Sequence, residues 1–165
     1  MGEGDPLKAF PFENGQFNVQ AIKRGKWTQP KLNQVKECQI LPNHGIWMPG
    51  GLLGVSSNGS TAGTGIVWAL LPANGDGNSC RGVKGMLIAF NAEDGTKEIW
   101  RSQRTDVNLS NTKDGFGLLA RFNPPTIANG KVFVGTAGDA ETLQRYAGPP
   151  AQGPANYYLA VYGLK

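Results

Sequence analysis

The residue types able to do chemistry are few in this chain, and they lie far apart. His44 is the one histidine among 165 residues. A general base must sit within hydrogen-bond reach of the proton it takes. No motif places a serine or cysteine beside His44, so it reads as a loop residue. Asn74-Gly75-Asp76-Gly77-Asn78 resembles a calcium loop on the surface. It offers one carboxylate and has no glutamate closing a twelve-residue frame, whereas Ca²⁺ is caged by several carboxylate and carbonyl oxygens. It reads as a Gly/Asn turn. Cys38 and Cys80 permit one disulfide but do not by themselves establish an oxidising compartment. What remains is a set of cations, Arg81, Lys84, Lys113 and Arg121. Their heads suit an anionic ligand, and they suit an ordinary solvated surface equally well.

The elements that would position these groups are β-strands. Charged residues make up 17% of the chain, with 24 Gly and 11 Pro, a balance that fits many tight turns. Apolar residues, 39% of the total, fall in short regular runs, which excludes disorder. No run approaches the roughly 20 apolar residues of a spanning helix, so no membrane span is expected. A net charge of +4, spread among acidic neighbours, argues against a nucleic-acid partner. The first residues, Met1-Gly2-Glu3-Gly4-Asp5-Pro6, have no basic or apolar stretch of the kind a secretory signal needs.

Alternation and turn signals predict nine strands and no helix. Leu7 to Phe12 turns through Asn14-Gly15 into Gln16 to Ile22. Leu52 to Ser57 leads through Asn58-Gly59 into Gly65 to Leu70, and Met86 to Asn91 turns through Asp94-Gly95 into Thr96 to Arg101. Pro125 to Ala128 turns through Asn129-Gly130 into Lys131 to Thr136, followed by Tyr158 to Tyr162. Asn58 and Asn129 lie 71 positions apart, as do Ala89 and Ala160, the mark of a repeated unit. Calling its strands A to D, the chain runs C-D, A-B-C-D, A-B-C. In such a meander the long connections, 28–50, 72–84, 102–123 and 137–157, all emerge at one end. Long connections gathered on one face of a repeat usually form its binding face. A four-stranded unit repeated in this way predicts a partial β-propeller: about two blades plus a half blade. Its parts are residues 1–27 as the last two strands of an incomplete blade, 28–101 as a complete blade, and 102–165 as a blade lacking its outer strand.

Ala89-Phe90-Asn91-Ala92-Glu93-Asp94-Gly95-Thr96-Lys97-Glu98-Ile99-Trp100 resembles the tryptophan-docking motif of quinoprotein-type (PQQ-like) propellers, with one extra residue. Ala89 would let a neighbouring blade approach, Gly95 would make the C–D turn, and Trp100 would bury its ring between blades. Asn91 stands where that family has Asp, replacing a charge-assisted bond to the turn by a neutral one. Pro124 to Thr136, with Asn129 and Gly130 at its turn, is similar to the A–B hairpin of such blades. Leu159-Ala160-Val161-Tyr162-Gly163-Leu164 is similar to a closing strand in secreted bacterial members.

The resemblance implies a periplasmic or extracellular parent protein, in which this chain supplies the C-terminal blades. It implies a binding or scaffold role, with ligand contacts on the long-loop face at Arg81, Lys84, Lys113 and Arg121. The chain carries no complete catalytic site: the Asp base, the Ca²⁺ cluster and the adjacent Cys-Cys clamp of a PQQ dehydrogenase are not in it. The alternatives are the C-terminal part of a PQQ- and Ca-dependent oxidoreductase with its cofactor residues upstream, and a carbohydrate or cell-envelope binding module. Within the blade frame, Cys38 and Cys80 fall on the long-loop face of one blade, where either a disulfide or two separate thiols fits. Two blades and a half cannot close a ring. The expected partners are therefore the remaining blades of a longer chain, or further copies of this one closing a homo-oligomeric ring.

Overall fold

The computed structural model describes residues 6–25, 51–73, 83–102, 114–138 and 157–163. Arg81, Lys113, Cys38, Cys80, His44, Trp47 and the 74–78 turn lie outside the described residues. The fold is all-β, made of small antiparallel sheets, and one 3-10 turn is the only helical element among the described residues. None of these residues forms a helix long and apolar enough to cross a membrane.

Four short strands come first: β1 (Lys8–Ala9), β2 (Phe12–Glu13), β3 (Gln16–Phe17) and β4 (Lys23–Arg24). A meander follows, in which β5 (Leu52–Ser56), β6 (Ile66–Pro72), β7 (Gly85–Asn91) and β8 (Glu98–Arg101) pair in the order β5-β6-β7-β8. The last sheet joins β9 (Thr126–Ala128), β10 (Lys131–Gly135) and β11 (Leu159–Gly163), with β10 in the centre.

β7 explains why the meander is the core. Met86, Ile88 and Phe90 point to one face and Leu87 and Ala89 to the other, and all five are buried. An apolar run without alternation is what a strand covered on both faces requires. Each large side chain buried there stabilises the fold by roughly 1.5–3 kcal/mol over its exposed state. One face packs with Leu7 from the N-terminal segment, alongside Ala69, Leu71 and Ala73 of the meander side. The other packs Trp68, Leu70, Leu87 and Ala89 against Val132 and Val134 of the last sheet, with Phe116 and Leu119 between.

Register shows how the repeat is built. Ile66 pairs with Ser56 and Asn91, just as Val132 pairs with Ile127 and Tyr162. Ser56 to Ile127 and Asn91 to Tyr162 are each a step of 71, but Ile66 to Val132 is a step of 66. The first A–B turn is five residues longer, and the following connection is shorter by the same number. The two Asn-Gly pairs therefore work differently. Asn129 (φ 49°) and Gly130 (φ 68°) form a left-handed pair typical of a type I′ hairpin, and so do Asn14 (φ 52°) and Gly15 (φ 78°). Asn58-Gly59 instead opens a wider loop: the Asn58 N–H donates to Thr64 Oγ1 (3.0 Å), and Thr64 Oγ1 donates to the Thr61 carbonyl (2.7 Å).

The N-terminal hairpin is less regular than the alternation predicts. β2 and β3 pair around Asn14-Gly15, and β1 pairs with β4, but the strand expected over 16–22 breaks into the 3-10 turn Val19–Ala21. Asn18 causes the break, because its side chain accepts from the Ala21 N–H (3.2 Å) and caps the turn. Pro11, lacking an N–H, can only accept there, from the Asn18 N–H (2.8 Å).

The two larger sheets stack, and their first strands approach most closely. Among the described residues, β5 and β9 are the pair of strands, one from each of these sheets, whose Cα atoms come within 8 Å. Gly54 permits this: a Cβ there would stand 2.6 Å from Ile127 Cδ1 and 3.1 Å from the Pro125 carbonyl oxygen. At the far strands the gap is filled by rings. Trp100 lies edge-on between Trp68 (6.4 Å) and Tyr162 (5.4 Å).

Candidate functional site

The described ends of three long connections meet at one end of the stack, and main-chain bonds tie them together. Lys84 bridges Leu118, and Leu119 bridges Thr136. The Gly85 N–H donates to the Gly117 carbonyl (2.9 Å), Leu119 to Val83 (2.8 Å), Leu118 to Gly138 (2.8 Å), and Thr136 to Tyr158 (3.0 Å). The segment around Phe116–Leu119 thus runs between the meander and the last sheet. Two glycines let it pass. The Phe116 ring lies against Gly85, where any Cβ would collide with it, and Gly117 takes a left-handed φ of 84°.

Two tyrosines anchor the same segment from β11 and the residue before it. The Tyr158 hydroxyl donates to the Phe116 carbonyl (2.6 Å), and the Tyr162 hydroxyl donates to the Asp114 carbonyl (2.7 Å). Burial pushes the Tyr162 hydroxyl well above its ordinary pKa, and the charges of Asp114 and Tyr158 add to this, while a hydrogen bond with Ser102 acts against it. On the meander side, Ser102 is buried and its Oγ accepts from the Leu87 N–H (3.0 Å).

Lys84 and Arg121 both lie at this end, one bridged to Leu118 and the other three residues beyond it. Lys84 is half-buried, and desolvation lowers its amine below the ordinary lysine value. Arg121 is exposed. Beside it stands Phe122, 64% exposed and at φ 56°. A bulky residue in the left-handed region is a genuine outlier, costing about 1–3 kcal/mol that its surroundings must offset. Tyr157 and Tyr158, also exposed, complete a set of aromatic groups that sequence reading left aside. The available signal was the adjacency of aromatic and cationic residues at Arg121-Phe122. Flat rings and cations at one end suit the stacking and pairing of a ligand more than bond breaking.

The residues resembling a blade motif fall on the joints. Ala89 pairs with both Trp68 and Trp100 and is buried. Gly95 takes no left-handed φ; its Cα packs toward Ala9 and Leu7 of the N-terminal segment. Gly95 lies within the C–D turn, where the Lys97 N–H donates to the Asp94 carbonyl (2.9 Å), and side chains add to its hold. Asn91 Oδ1 accepts from the N–H groups of Glu93 (2.8 Å) and Asp94 (2.9 Å), and Asp94 Oδ1 accepts from the Thr96 hydroxyl (2.7 Å). Asn129 and Gly130 form the β9–β10 turn described above.

Among the described residues no three His, Cys, Asp or Glu side chains come together. Comparison with protein-family models, with curated proteins and with solved structures finds no match to this chain.

Proposed function

We propose that the chain forms blades of a PQQ-like β-propeller and serves as a binding or scaffold element, with its long-connection end as the contact surface. The observation that carries this reading is the stacking of two sheets of the same meander order. They converge at their first strands, β5 and β9, and their long connections knit into one end. Strands that approach at one edge and splay toward the other are how blades fan around an axis. Lys84 and Arg121 give that end its described positive charge, and Arg81 and Lys113 belong to the same connections in sequence. An anionic ligand or partner is the chemistry such groups recognise.

The test is thermal-shift and calorimetric titration with citrate and with heparin as small and extended anionic probes, in low and physiological salt. Binding of at least one probe is expected, with loss of roughly tenfold or more in affinity when Lys84 and Arg121 are both replaced by Ala. Equal affinity in the double variant, or no binding of either probe at low salt, would remove the anionic-ligand reading. A parallel titration with PQQ and Ca²⁺, followed by cofactor absorbance, separates it from a quinoprotein role, since uptake of the quinone would favour the enzyme.

A further inference from the structure

Left-handed backbone costs every residue but glycine, and asparagine tolerates it best among the rest. Among the described residues, the non-glycine positions that adopt it are Asn14, Asn129 and Phe122. Asn14 and Asn129 stand in the hairpin turns described above, where the chain uses the residue type the backbone asks for. At Phe122 it does not. The turn at Arg121-Phe122 puts a bulky ring at φ 56°, where Asn or Gly would sit with less strain.

Burial of the ring would be one reason to keep such a residue, and it does not apply. Phe122 is 64% exposed and belongs to neither buried cluster, and its ring meets no other ring among the described residues. The strain is imposed from both sides of the turn. Before it, Leu119 is bridged to Thr136, and its N–H donates to the Val83 carbonyl. After it, the Asn123 side-chain amide fills the space where a Cβ on Gly135 would stand, so Gly135 lets the segment lie close against β10. Pro124 and Pro125 then fix φ on the way into β9. These two clamps leave the residues between them few backbone solutions.

A ring that serves neither the backbone nor the core, held out on a clamped turn, is placed for what it meets outside the chain. Arg121, also exposed, belongs to the same turn, and Lys84 lies at the same end. A flat ring beside a guanidinium offers stacking and positive charge together. We propose that Phe122 is a ligand-contact residue of the long-connection end, and that the ligand is a flat aromatic anion whose ring stacks on Phe122 while its acidic group pairs with Arg121. This rests on the reading of that end as an anion-contact surface, and it adds the part of the ligand that charge alone does not select. Rigid presentation suits the role, because a ring already fixed in place loses little freedom when a ligand stacks on it.

The test is calorimetric titration at low salt with two probes of equal charge: trimesate, a benzene ring bearing three carboxylates, and its saturated counterpart cyclohexanetricarboxylate. The parent protein is expected to bind trimesate about fivefold or more tighter, the order of factor that stacking on one aromatic side chain contributes. Phe122→Asn is expected to lose that preference while binding the saturated acid as the parent does. It should also melt higher, by about 3 °C, because asparagine accepts the left-handed turn that phenylalanine strains. Phe122→Tyr keeps a ring and should keep the preference. Binding of the saturated acid with no preference for trimesate overturns this proposal and leaves the anion reading standing, whereas binding of neither acid removes both. A Phe122→Asn protein that retains the preference overturns it. So does one that melts below the parent, since that is the behaviour of a ring kept for packing.

Discussion

Replacing Gly117 by alanine sets a methyl group where the structure has no room for one. The ideal Cβ would lie 2.5 Å from the Tyr158 hydroxyl and even closer to the Gly138 carbonyl oxygen, which belongs to backbone and cannot swing aside. The residue also holds φ at 84°, so alanine carries a left-handed penalty of about 1–2 kcal/mol before any collision is counted. Relieving the overlap by moving chain adds roughly 1–3 kcal/mol. Displacing Tyr158 from the Phe116 carbonyl removes a hydrogen bond contributing about 1 kcal/mol. The sum is about 4 kcal/mol, which for a chain of this length lowers the melting temperature by roughly 12 °C. Gly130→Ala is the control. Gly130 has a similar φ of 68°, but a Cβ there meets nothing within 4 Å, so the backbone penalty stands alone at about 1 kcal/mol. Urea unfolding followed by tryptophan fluorescence reads both. A Gly117→Ala loss no larger than that of Gly130→Ala would refute the claim that the 116–119 segment is clamped between the two sheets.

Two further substitutions address the joint and its hydrogen bonds. Trp100→Ala removes the ring standing between Trp68 and Tyr162, and should cost about 3 kcal/mol with a marked loss of near-ultraviolet circular dichroism; an unchanged spectrum would mean that the rings do not couple. Tyr162, whose hydroxyl is held above its ordinary pKa of 10.0 by burial, favours the folded state while it keeps its proton. Its contribution is therefore constant below about pH 10 and falls as pH rises past that value, because the unfolded chain ionises first. Ultraviolet titration should show one of the four tyrosines ionising late, and Tyr162→Phe should abolish that late step.

The architecture was legible where side-chain pattern and backbone agree. The unbroken apolar run of β7 announces a strand covered on both faces, and Asn129-Gly130 places two left-handed residues where a two-residue hairpin needs them. Legibility fell where a single side chain redirects the backbone. Asn18 reads as one more polar position in an alternating strand, yet its carbonyl oxygen caps a turn and ends that strand. The long-connection end was the hardest part to read, for a more general reason. It is held by N–H and carbonyl groups of Val83, Lys84, Gly85, Gly117, Leu118, Leu119, Thr136 and Gly138, and every residue but proline carries both of these groups. Such bonds leave no record in residue type. What the sequence can record is the space they demand, and it does so as absent side chains: Gly85 beneath the Phe116 ring and Gly117 beneath the Gly138 carbonyl. Cations at this end are replaceable in kind, while these two glycines are not. Substituting the glycines should therefore disturb the shape of the contact surface, and substituting Lys84 or Arg121 should change its charge while leaving that shape intact.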